Sequence, residues 1–284
     1  MRFLSLNLVT GPVAEPVSLA LAKQHLRIDF SYDDNYIPVL ITAAREWCEV
    51  YMQRHIFNQT WQRTLDYFPI WVGGTTVSPN NFQDWMFFSD YWSKVMIQLP
   101  GKIQSVNSIT YVVPNGGGTQ TLPSSDYVVD LTSVPARLVP QQGMTWPVQT
   151  LYQPGSVAIE YVAGSWEKSV TEQFTVPASA PYTYTLQQAN NLVNFVGVTD
   201  ADDNAVSGTN DAGTLTFESA QAGQTLTASY TVNACPQAVV QAMLLLIKHW
   251  YDHREAVSDQ SFKNVPMAVN ALLNAHRLVS FYIA

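Results

Sequence analysis

The chain has 284 residues, 47% of them hydrophobic and 13% charged, with 14 Lys and Arg against 22 Asp and Glu for a formal charge of −8. That much apolar material excludes a globally disordered chain, and the sign of the charge disfavours a protein that grips nucleic acid by neutralising its phosphates. The length predicts one large domain or two modest ones.

The opening Met1-Arg-Phe-Leu-Ser-Leu-Asn-Leu-Val-Thr10 holds a short apolar stretch that stops at Gly11-Pro12. It lacks the pattern of an export signal, and no run approaches the roughly 18 apolar residues of a membrane span, so no membrane role is predicted. Ser18 can cap a helix over 18–28 whose stripe is Leu19, Ala22 and Leu26. Asp33 and Asp34 offer N-cap oxygens to a second helix, 33–55, with Pro38 near its first turn. Its inner face reads Tyr36, Ile37, Leu40, Ile41, Ala44, Trp47, Cys48 and Tyr51, which leaves Arg45, Glu46, Glu49 and Gln53 largely outside.

From Thr60 to Phe68 the period changes to alternation, with Trp61, Arg63, Leu65 and Tyr67 on one face of a strand. Residues 69–94 then carry Trp71, Phe82, Trp85, Phe87, Phe88, Tyr91 and Trp92 without a clean period. These aromatics either fold onto their own domain or anchor a neighbouring subunit or partner. Strands resume at 95–99, 108–113, 127–130 and 156–162, giving a small β-subdomain over 59–162.

The segment 165–233 is rich in Thr, Ala, Asn and Gly and nearly free of Lys and Arg. Alternating runs at 183–186, 214–217 and 226–232 predict a β-sandwich-like module, inserted between Gly164 and Pro236. Helices return at 236–256, with the stripe Val239, Val240, Met243, Leu244, Ile247, Trp250 and Tyr251, and at 266–277. The predicted fold is therefore α+β: a helical bundle from the N- and C-terminal helices with a small β-subdomain, 1–164 and 234–284, plus the inserted module 165–233.

No catalytic chemistry assembles from the motifs. His249 and His253 have the i, i+4 spacing of a zinc-binding helix, but Trp250 stands where the catalytic Glu belongs, and a structural pair in contact with Glu255 is the plainer reading. Asp200-Ala-Asp-Asp-Asn204 lacks the Gly and distal Glu of a calcium loop. Gly116-Gly117-Gly118 opens no helix, so it reads as a turn rather than a phosphate cradle. Cys48 and Cys235 lie in apolar helical patterns and read as small buried hydrophobes in a reducing compartment. No enzyme, metal or cofactor is predicted.

The stretch Glu15-Pro-Val-Ser-Leu-Ala-Leu-Ala-Lys-Gln-His-Leu-Arg-Ile-Asp29 resembles the opening of the head-tail connector, or adaptor, family of tailed double-stranded DNA phages. Similar blocks follow at Ala43-Ala-Arg-Glu46, Gln59 to Asp66, Phe68-Pro69, Val106 to Tyr111, Asp126-Tyr127, Pro135-Ala-Arg137, Trp146-Pro147 and Val157 to Gly164. Leu244 to Ala256 and Pro266 to Leu273 with Arg277 resemble the two C-terminal helices of the family. The resemblance implies a homo-oligomeric ring of about twelve copies beneath the portal protein, with tail or head-closure proteins on the other side. DNA would pass through the channel without sequence-specific binding, and the chain would reside in the virion neck after assembly in the host cytoplasm. In that setting the apolar tail, with Leu278, Val279, Phe281, Tyr282 and Ile283, is expected either to dock on the portal or to fold back onto its own bundle. The alternative to the connector is a surface β-sandwich binding module with helical ends.

Overall fold

Ser18 starts the first helix as its place in the sequence requires. Its Oγ accepts a hydrogen bond from the Leu21 amide at 3.2 Å, capping α1 (Leu19–Leu26). The computed structural model describes residues 5–69, 96–114, 116–147, 154–254 and 267–278. Arg27 ends α1 in the left-handed region, at φ 62°, with its amide returned to the Gln24 carbonyl.

The second helix, α2 (Ile37–Met52), is shorter than the 33–55 expected. Residues 33–36 form a turn instead, in which the Asp33 carbonyl accepts from the amides of Tyr36 and Ile37, both at 2.9 Å. The two aspartates do not cap, because both carboxylates are taken: Lys23 donates to Asp34 at 2.6 Å, and Tyr251 and Arg254 donate to Asp33. Ile37, Leu40, Ile41, Ala44, Cys48 and Met52 are buried as an inner face, while Trp47 and Tyr51 are half-buried and stack at 5.4 Å. Arg45 and Glu49, expected outside, are buried too, since each supplies the charge the other needs.

The later helices are α3 (Gln237–Asp252) and α4 (Met267–Asn274), both shorter than their sequence patterns. α2 packs on α3, α3 on α4, and α1 on both α2 and α3. The apolar stripe of α3 is buried from Val239 to Ile247, and Trp250 and Tyr251 are half-buried. No described helix is long and apolar enough to cross a membrane.

The chain divides into two compact units. One comprises Met1–Gly11, Gln53–Gly164 and Arg277–Ala284, the other Pro12–Met52 and Ser165–His276, so the helices share a unit with the strands of 165–233.

In the first unit, β1 (Ser5–Thr10), β2 (Gln59–Leu65), β4 (Ile103–Val113), β5 (Gly118–Thr121) and β8 (Val157–Ala163) form one antiparallel sheet in the order β1-β2-β8-β4-β5. β3 (Ile97–Leu99), β7 (Ala136–Pro140) and β6 (Tyr127–Asp130) form a second. Alternation in β8 buries Val157, Ile159 and Tyr161 in a core with Leu65, Ile109 and Leu138, where Phe68 stacks on Trp146 at 5.2 Å. Gly164 follows β8 because any larger residue collides: a Cβ there would lie 2.8 Å from the Asn58 Cα and nitrogen.

In the second unit, β9 (Glu167–Thr175), β11 (Leu192–Thr199) and β14 (Thr225–Asn233) form a sheet in the order β11-β14-β9. β10 (Thr183–Thr185), β12 (Thr209–Asp211) and β13 (Thr214–Thr216) form another in the order β10-β13-β12. Phe174, Leu186, Val198, Leu215, Phe217, Leu226 and Tyr230 make one core between them. The fold is α+β.

Candidate interaction surface

Among the described residues no group of three or more His, Cys, Asp or Glu is placed to hold a metal. His249 and His253 stand with ring centroids 4.8 Å apart, and His253 Nδ1 lies 2.8 Å from the His249 carbonyl oxygen, a helix-end contact. Glu255, the expected partner of this pair, lies outside the described residues. Asp200 is spent within its own turn, its Oδ1 accepting from the amides of Asp202 and Asn204, both at 2.9 Å. Cys48 and Cys235 are buried free thiols pushed up to about 12, chiefly by burial. Both should therefore resist a maleimide in the folded chain at about pH 8 and react once it is unfolded; labelling of the folded chain at free-thiol rates would contradict this.

What the described residues present is surface, held in place by buried and partly buried polar contacts. Arg45 donates to Glu15 at 2.9 Å and to Glu49 at 3.2 Å, and Thr42 donates to Glu15 at 3.0 Å. The approach to α1 is thereby tied to the middle of α2. A second tie joins the start of α2 to the end of α3. There Arg254 donates to Asp33 at 2.9 Å and lies over the rings of Tyr36 and Tyr251, 4.7 and 4.2 Å from their centroids. The Arg254 and Tyr251 donors hold the Asp33 carboxyl below the usual carboxylate range.

These ties fix an exposed set of apolar residues on the second unit: Phe30 and the 89% exposed Tyr32 before α2, and Val39 and Val50 on its outer face. On the first unit, Leu6, Leu8 and Val9 of β1 are exposed as well. None of these was singled out in the sequence, although the alternation of Leu6 and Leu8 was a signal for a strand. Of the residues that were singled out, Leu278 is half-buried. Val279, Phe281, Tyr282 and Ile283 lie outside the described residues, as do Trp71, Phe82, Trp85, Phe87, Phe88, Tyr91 and Trp92.

Residues 16–73 match the model of the phage gp6-like head-tail connector protein family. The matched segment spans α1, α2 and β2, and it contains Arg45 with its partner Glu49 as well as Asp33. No curated protein matches the chain. Among solved structures, it is similar to a chain of "Neck of empty GTA particle computed with C6 symmetry", at 16% identity and a TM-score of 0.51, over 99% of this chain and 98% of that one. It is also similar to a chain of "Virion of native gene transfer agent (GTA) particle", at 15% identity and a TM-score of 0.48, over 98% of each. The first likeness is one of fold, and it extends beyond residues 16–73 to nearly the full length of both chains.

Proposed function

We propose that the chain is a structural head-tail connector subunit of a phage-like virion, without enzymatic activity. Copies of it, about twelve, form a ring below the portal, through which DNA passes between capsid and tail. The match of residues 16–73 to the connector family carries this reading, and the full-length likeness of fold to a chain from a gene transfer agent neck supports it. The acidic balance suits a channel wall, since a formal charge of −8 repels phosphates and favours sliding over binding. Size-exclusion chromatography with light scattering, on the chain alone and mixed with its portal protein, tests the reading. A ring is expected in at least the mixture, and a chain that stays monomeric in both would sink the connector role.

Three segments are assigned contacts in that ring. The tail 278–284 docks on the portal, so its deletion should abolish attachment to the portal while leaving the fold intact; unchanged attachment would remove the assignment. The aromatics of 69–94 anchor a neighbouring copy or partner, since Trp and Tyr dominate such interfaces. The strands of 165–233 decorate the outside of the ring, where they contact tail parts or adjacent copies.

A further inference from the structure

Among the described residues, the five-stranded sheet ends on two unpaired edges, β1 and β5, and every residue of both strands is exposed. Neither strand contains a charged residue or a proline, the devices that ordinarily keep an edge from pairing with another chain. The bulge in β1 falls near its far end, between Leu8 and Thr10, and leaves Ser5 to Leu8 in unbroken register with β2.

The faces of β1 are as informative as its edge. Leu6 and Leu8, 42% and 51% exposed, stand opposite Arg63 and Trp61, which in turn stand opposite the buried Ile159 and Tyr161. The two leucines continue the core face of the sheet past its core, to an edge where no described residue buries them. A strand that buries no side chain of its own gains little to offset the entropy of ordering its backbone. Contact with another chain would supply the missing burial.

We propose that β1 of one copy pairs with β5 of the next, so that neighbouring sheets join edge to edge around the connector ring; the inference rests on the ring reading above. Strand direction selects this seam. All four pairings inside the sheet are antiparallel, so the first and fifth strands point the same way. A rotation about a ring axis running roughly along the strands preserves that direction, and β5 meets the next β1 as a parallel, heterologous pair, the kind of contact that closes rings. Pairing of β1 with another β1 would need a two-fold axis and would stop at a dimer.

The register is also constrained. Ser5, Thr64, Ala158, Thr110 and Thr121 lie on one row across the sheet, so β5 ends level with the start of β1. Pairing requires a shift along the strands, and it must be an even number of residues to keep core faces together. A shift of two or four residues over five strands tilts them roughly 15–30° from the ring axis. The first places Asn7 beside Thr121, the second beside Thr119.

A short bifunctional maleimide applied to the assembled full-length chain tests the seam, and the buried Cys48 and Cys235 do not compete for it. Asn7→Cys combined with Thr121→Cys or with Thr119→Cys is expected to give a ladder of covalent species beyond the dimer, and no single variant should do so. Efficient dimers from Asn7→Cys alone would mean two-fold pairing and overturn the proposal. A ring seen by light scattering without a ladder from either double variant overturns the seam and leaves the connector reading standing; a chain that forms no ring, alone or with portal, overturns both. Leu8→Lys, which charges the edge, should weaken assembly at least about tenfold while the β2 and β8 amides keep their exchange protection, and unaltered assembly also counts against the seam.

Discussion

Arg45→Ala should destabilise the helical part of the second unit by about 3–5 kcal/mol, the loss typical of removing one member of a buried ion pair. Arg45 and Glu49 each keep only 7% of their side-chain surface, and the guanidinium also holds Glu15. Without it, the Glu49 carboxylate loses that cation in an apolar setting. The double variant Arg45→Met with Glu49→Leu should recover most of the loss, because apolar replacements of similar size remove both buried charges together. A chain of two compact units need not melt in one step, so the measurement is hydrogen exchange at the amides of α2 and α3. A loss below about 1 kcal/mol would show that the pair contributes no more than a surface salt bridge.

The second large effect belongs to Glu172, a buried carboxylate in the core between the two small sheets of the second unit. Tyr184 and Tyr230 donate to it at 2.5 and 2.6 Å, and the Gln187 amide donates at 3.1 and 3.2 Å to its two oxygens. Glu172→Ala strands three donors and should cost about 3 kcal/mol or more, read as lost protection of the β9 and β14 amides. The same cluster predicts an alkaline limit. Burial, with Glu172 beside it, pushes the Tyr230 hydroxyl up to about 12, against about 10 in an unfolded chain. The folded state then holds the proton more tightly, so this contribution is complete below about pH 10 and is lost as pH rises toward 12. Tyrosinate absorbance titrated alongside unfolding checks the sign, and Tyr230 ionising at about pH 10 in the folded chain would contradict it.

Legibility in the sequence followed side-chain periodicity. Ser18 and the stripes of α1, α2 and α3 were readable because one face of each helix is apolar at helical spacing, and β8 was readable because Val157, Ile159 and Tyr161 alternate. The start of α2 was misplaced because an aspartate beside a helix reads as a cap, whereas Asp33 is claimed by Tyr251 and Arg254, 218 and 221 residues away. Arg45 and Glu49 were placed outside for the same reason: a charge pattern does not reveal that its partner is buried with it. β5 and β7 were missed because Gly118-Thr-Gln-Thr121 and Ala136-Arg-Leu-Val-Pro140 carry little apolar contrast, and their strands exist through pairing with β4, β3 and β6. The candidate surface was the least legible part, since an exposed Leu6 or Tyr32 departs from the pattern only once burial is known.

The division of the chain into two interleaved units has a consequence for synthesis. α2 ends at Met52, and α3, against which it packs, begins at Gln237. A ribosome makes the long stretch between them while the inner face of α2 lacks α3, and contacts of such sequence separation are slow to form. The first unit completes its five-stranded sheet once Ala163 has emerged, but the second waits for α3. Chains are thereby screened by length: one broken off before Gln237 presents Ile37, Leu40 and Ile41 to chaperones and proteases rather than a closed helical face.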